Sequence, residues 1–157
     1  MTTTITGALG IDNIKAATGA VLQVIQGTTN TQVDNSTQTY VDTGLTATIT
    51  PTSTTSKILV VVSQNGGFKS NSNIDNGIAA ILLRGATNIS TFATYAGWSY
   101  TTNYAYIETI GTTYLDSPAT TSATVYKTQF KNMAATSGVA LQKASVTSTI
   151  TLMEIAG

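Results

Sequence analysis

Few residues in this 157-residue chain could do chemistry. It has no histidine and no cysteine, which removes imidazole acid–base work, thiolate nucleophiles and disulfides. Any catalysis would fall to carboxylates, of which there are seven: Asp12, Asp34, Asp42, Asp75, Glu108, Asp116 and Glu154. Hydrolysis of a sugar polymer needs two of them facing one bond across a set gap. No spacing in the sequence pairs them, and most fall in expected turns. Asp75 and Asp116 read as turn residues whose side chains bond the local backbone. The chain is therefore expected to be no enzyme, and no catalytic, cofactor-binding or metal-ligating residue is nominated.

Two other stretches carry polar or aromatic groups at suggestive spacing. Asn71-Ser72-Asn73-Ile74-Asp75-Asn76-Gly77 is oxygen-rich, like a calcium loop, but lacks the second carboxylate and the distal Glu such a loop needs. It reads as an Asx-rich turn. Asn65-Gly66-Gly67 lacks the length and the following Lys-Ser/Thr of a phosphate cradle. The segment from Tyr95 to Tyr106 holds the single tryptophan, Trp98, together with Tyr95, Tyr100, Tyr104 and Tyr106. Such rings, with short polar side chains nearby, suit the stacking and hydroxyl contacts of a sugar-binding surface. They equally suit a sandwich core or a subunit interface, where Tyr and Trp are enriched.

The elements that must position these groups are strands. Charged residues are 9% of the chain, seven basic against seven acidic, for a formal net charge of zero. This leaves no electrostatic footprint for nucleic acid and no polybasic membrane surface. The apolar runs Ile58–Val62 and Ile78–Leu83 are far short of the roughly 20 residues a spanning helix needs. Met1 to Gly7 has no basic region followed by an apolar one, so no secretory signal is expected. Threonine, a β-branched strand former, is the commonest residue.

The pattern predicts strands at Ala20–Gln26, Gln38–Asp42, Leu45–Thr50, Lys57–Ser63, Ile78–Arg84, Ile89–Thr94, Tyr104–Leu115, Thr124–Lys131, Val139–Lys143 and Thr147–Ile155. Leu45, Ala47 and Ile49 alternate onto a core face. Tyr126, Thr128 and Phe130 share one face of their strand, opposite Val125, Lys127, Gln129 and Lys131. Lys57–Ser63 reads as a strand covered on both sides. Gly27–Ser36 reads as a loop, and Asn65-Gly66-Gly67 and Asn71–Gly77 bracket another. Short strands at this spacing without a helical period predict an all-β fold, an antiparallel β-sandwich or jelly-roll-like knob over residues 20–157. Residues 1–19, with Ile5, Leu9, Ile11 and Ile14, read as a short N-terminal arm. It is either a frayed end or a segment that docks on a neighbour.

The knob resembles the C-terminal β-rich module of tail-fibre and other virion-surface proteins of tailed phages, cyanophages among them. The resemblance is carried by Gly19–Gln26, Ile49-Thr50-Pro51 leading into Ser56–Val60, Leu82-Leu83-Arg84-Gly85, Leu115-Asp116-Ser117-Pro118-Ala119-Thr120-Thr121, and Ser148–Gly157. Together these cover nearly everything after residue 19. The resemblance implies a non-enzymatic sandwich knob, homotrimeric, on a virion surface, made in the host cytoplasm. A short arm in place of a long shaft favours a capsid decoration (cement) protein, whose partners would be its own copies and the major capsid protein or another virion protein. The alternative is a short tail-fibre or tail-tip module that recognises a host surface glycan through the aromatic segment. Neither reading involves a cofactor, nucleic acid or membrane insertion. A polysaccharide-cleaving enzyme is the third reading, and it requires a pair of acids.

Overall fold

The computed structural model describes residues 16–69, 75–99, 107–134 and 138–157. Within them run ten strands: β1 (Val21–Thr29), β2 (Val33–Asn35), β3 (Val41–Ile49), β4 (Lys57–Lys69), β5 (Asn76–Arg84), β6 (Thr87–Ser99), β7 (Ile107–Asp116), β8 (Thr124–Asn132), β9 (Val139–Leu141) and β10 (Ser148–Ile155). Among the described residues, no helix is long and apolar enough to cross a membrane. Of the expected arm, residues 1–15 lie outside the described residues. Where the description begins, Gly19 and Ala20 already extend the sheet: Gly19 N–H donates to Ala156 O and Ala156 N–H to Ala20 O, both at 2.8 Å.

All pairings are antiparallel. One sheet runs β1-β10-β4-β7, and the other β3-β8-β5-β6. Apart from the β5–β6 hairpin, each connection among these eight strands passes from one sheet to the other. This order is that of the eight-stranded jelly roll, two Greek keys wound into a sandwich. The expected antiparallel sandwich is thus the observed fold. The short β2 and β9 pair with each other and extend the first sheet beside the far end of β4.

Alternation fills the space between the sheets. Leu45, Ala47 and Ile49 of β3, Ile58, Val60 and Val62 of β4, Leu82 of β5, Tyr126 of β8, and Ile150 and Leu152 of β10 form one apolar cluster. Ile78, Ala80, Phe130, Val139 and Leu141 form a second. Between them lies a transverse polar layer built from the next inward positions of β3, β4, β8 and β10 and from the residue that follows β9: Thr43, Gln64, Thr128, Ser148 and Gln142, all fully buried. Gln64 Oε1 can only accept, so the Thr128 hydroxyl donates to it at 2.8 Å. Thr128 has then used its proton, and Thr43 Oγ1 must be the donor in the 2.6 Å contact between the two hydroxyls. Ser148 Oγ accepts from Gln64 Nε2 at 3.0 Å and from Asn65 N–H at 2.9 Å. The Gln142 amide turns its oxygen to Gln64 Nε2 and Ser148 Oγ, which lets its nitrogen donate to the carbonyls of Thr31 and Leu141. The layer ties the sheets together and leaves little polar capacity unmet, the condition under which a buried network stabilises.

Several local expectations change. Gln38–Tyr40 lies outside the ladder, and the residues expected as two strands form the single β3, with a register shift between Asp42 and Thr46. The polar stretch Gly27–Ser36 contains the end of β1 and all of β2. Asn65-Gly66-Gly67 is no loop: β4 continues through it to Lys69, with a bulge marked by Gly66 at φ 64° and a register shift between Gln64 and Gly67. Lys57–Ser63 is covered on one face only, since Leu59 and Val61 point outward and are half-buried. The strand expected over Val139–Lys143 stops at Leu141, before a 3-10 turn at Lys143–Ser145.

Candidate functional site

Within the described residues no three His, Cys, Asp or Glu residues cluster to hold a metal ion, and most of the described carboxylates are tied up individually. Asp12 lies outside the described residues. Asp34 accepts from the Gln32 amide at 2.9 Å. Asp42 accepts from Gln129 at 2.7 Å and pairs with Lys127 at 2.9 Å. Burial acts to raise the Asp42 pKa, but these two partners outweigh it and hold the pKa below its ordinary value. Asp116 is not a turn residue bonding its own backbone. It ends β7 facing inward, where it accepts the Tyr126 hydroxyl at 2.6 Å and Arg84 at 2.8 Å. Burial first, and then the bond to the Asp116 carboxylate, push the Tyr126 phenol well above its usual range.

Glu154 of β10 is fully buried. It accepts from Gln23 Nε2 at 2.6 Å and from both Thr52 N–H and Thr52 Oγ1 at 2.7 Å. Burial alone would raise its pKa, but the Gln23 and Thr52 donors win and hold it at about 2. Glu108 on β7 differs: burial raises its pKa against a single opposing hydrogen bond from the Gly97 backbone. Its Oε1 is buried without a hydrogen-bond partner.

Two surfaces stand out instead of a catalytic cluster. The first is the outward face of the β1-β10-β4-β7 sheet. Register places Val24 beside Met153, Met153 beside Leu59, and Leu59 beside Leu115, an apolar row running across all four strands. Val24 is 55% and Leu115 51% exposed. Val21, 54% exposed, adjoins Ile155 in the row toward the N-terminal end. The next row on the other side is Gln26, Thr151, Val61 and Thr113. Lys57, paired with Ile155, is the charge at the margin. A solvated sheet face normally carries charges and interrupted apolar residues, so a continuous uncharged row is a contact-surface signature. Ala16, the first described residue, lines a depression with Leu22, Ala156 and Gly157 at the end of this sheet.

The second surface is on β6, the outer strand of the other sheet. Tyr95 and Trp98 line a shallow depression with Asp75. Tyr95 is 55% exposed and Trp98 47%. These two rings of the aromatic segment lie outside the core. Tyr100, Tyr104 and Tyr106 lie outside the described residues, as do residues 71–74 of the oxygen-rich stretch. Asp75, read from sequence as bonding local backbone, accepts the Trp98 indole N–H at 2.7 Å.

No protein-family model matches the chain, and no curated protein does. Among solved structures, the chain is similar to the VP2 subviral particle of infectious bursal disease virus, at 14% identity and TM-score 0.44, covering 97% of this chain and 42% of that one. A mutant VP2 from T=1 particles of the same virus gives 15% identity and TM-score 0.43, covering 96% and 41%. The chain thus spans about two fifths of the length of the VP2 chains it matches.

Proposed function

We propose that this chain is a non-enzymatic structural protein of a phage virion surface, a homotrimeric capsid decoration protein. In this reading the knob joins copies of itself through the outward face of the β1-β10-β4-β7 sheet, and residues 1–19 anchor it to the major capsid protein. The carrying observation is the uncharged row Val24–Met153–Leu59–Leu115. A second copy is the occupant that suits it. Copies packed on this face around a three-fold axis meet an uncharged surface and no like-charge repulsion there, and the chain's formal net charge is zero. The arm, with Ile5, Leu9, Ile11 and Ile14, joins at Ala16 beside Leu22. Arms from several copies would then sit at one end of the assembled sheets, where joint anchoring multiplies affinity. A protein that binds only the assembled lattice stabilises it by mass action. The phage assignment and the trimer rest on the family resemblance; the apolar row supports self-association.

The test has two parts. Light scattering on the purified chain should give an oligomer that Leu115→Lys reduces to monomer. Deletion of residues 2–18 should leave a folded oligomer that no longer sediments with undecorated capsids. Undiminished capsid binding after the deletion would sink the arm assignment, and a monomeric wild type would sink the face. The second reading, a short tail-fibre or tail-tip module that binds host surface carbohydrate, is favoured by one observation, the exposed Tyr95–Trp98 pair.

A further inference from the structure

We infer that Tyr95, Trp98 and Asp75 form a binding site for neutral saccharides. This deepens the second reading of function and rests on it only for where the saccharide would be met; binding itself does not depend on a particle. Residues three apart on a regular strand point to opposite faces. Tyr95 and Trp98 nonetheless line one depression, because β6 carries an extra residue between them. Ser99 pairs with Asn76 and Ala96 with Ile78, three residues on β6 against two on β5. Gly97, at φ 62°, sits inside this bulge, a conformation that glycine adopts without strain. Glu108 of β7, in the opposite sheet, lies against the bulge at this glycine. A Cβ at Gly97 would lie 3.1 Å from Glu108 Oε1. The fold thus holds two aromatic rings on one side of an outer strand, about half in water.

The polar partner selects the ligand class. The Trp98 N–H is already bonded to Asp75, so the indole is oriented and presents its ring rather than its donor. The Asp75 carboxylate is an acceptor and not a donor. Ring faces beside an acceptor-only group fit a pyranose, whose C–H face stacks while its hydroxyls donate. A single-stranded nucleic acid would also stack but needs a basic groove; the site's charge is Asp75, and the nearby Lys69 ammonium, which interacts with it electrostatically, is buried. The same negative charge disfavours acidic sugars.

Trp98 is the only tryptophan, so intrinsic fluorescence of the whole chain reads this site directly. The experiment titrates it with neutral gluco-, galacto-, manno- and N-acetylhexosamine hexasaccharides, with sialylated and sulfated oligosaccharides beside them. The expected result is a saturable change for at least one neutral probe with half-saturation at about 0.1–10 mM. Tyr95→Ala should weaken it at least tenfold, whereas Val146→Ala, on a different surface, should leave it unchanged. Gly97→Ala should weaken it too, with circular dichroism checking the fold. No saturable response to any neutral probe, a response confined to acidic probes, or one that survives Tyr95→Ala would overturn the inference. Capsid sedimentation of Tyr95→Ala is expected to match wild type, so saccharide binding and virion location can fail separately.

Discussion

Replacing Glu154 by Gln should remove a charge that the fold uses, and do so in a pH-dependent way. The carboxylate joins β10 to β1 through Gln23 and to the segment after β3 through Thr52, with three donors at 2.6–2.7 Å. Held at about 2 against an ordinary 4.5, its ionised form contributes about 3 kcal/mol to stability at neutral pH. A depressed folded-state pKa means that this contribution is complete above the unfolded value and is lost as pH falls through the folded one. It should therefore fade between about pH 5 and pH 2. A Gln at this position keeps one acceptor but sets an amide N–H₂ against donors, so Glu154→Gln should cost about 2–3 kcal/mol at pH 7. For a chain of this length that lowers the melting temperature by about 5–10 °C. Thermal unfolding of both proteins at pH 7, 5, 3.5 and 2.5 checks this. Other carboxylates titrate in both and cancel in the difference, which should shrink below about 1 kcal/mol at pH 2.5. A gap that is absent at pH 7, or constant down to pH 2.5, would refute the reasoning.

Thr128→Val should cost about 2–3 kcal/mol in denaturant unfolding, because Gln64 Oε1 loses its donor inside the buried layer. Combined with Gln64→Met, the pair should cost clearly less than the sum of the single variants; simple additivity would show that the layer is not coupled. Tyr126→Phe strips a buried hydroxyl from Asp116 and should cost about 1.5–3 kcal/mol, while Val125→Ala on the outward face of the same strand should stay within about 0.5 kcal/mol. Val24→Lys, like Leu115→Lys, should lower the oligomer mass in light scattering without changing the circular dichroism spectrum, since both side chains are about half exposed in the single chain.

The frame of the fold was legible wherever period-two alternation was clean. Leu45–Thr50 and Thr124–Lys131 read correctly to the residue face, because an inward apolar position is the one signal a half-buried strand must carry. The polar layer was not legible as such. Gln64, Gln142 and Ser148 occupy inward positions with side chains that sequence patterning assigns to solvent or turns, and only the partner strands show that their hydrogen bonds are met. Gly66 reads as a loop residue because glycine tolerates positive φ; there, as at Gly97, that tolerance serves a bulge within a longer strand. The bulge at Gly97 also explains the aromatic segment. Alternation would send Tyr95 and Trp98 to opposite faces, so no strand pattern could predict that both would stand outside the core beside Asp75. Asp116 looked like the start of an Asp-Ser-Pro turn, and its inward carboxylate became visible only once β5 and β8 brought Arg84 and Tyr126 to it. The apolar row on the outer face is spread over four strands distant in sequence, so register alone assembles it.

The most direct measurement is the position of the chain on intact virions, by immunogold electron microscopy with an antibody raised against the knob. A decoration protein predicts gold distributed over the head at regular density and none on the tail. Gold confined to the tail would contradict decoration in favour of host recognition, and particles without gold that also lack the chain by immunoblot would contradict the virion assignment itself.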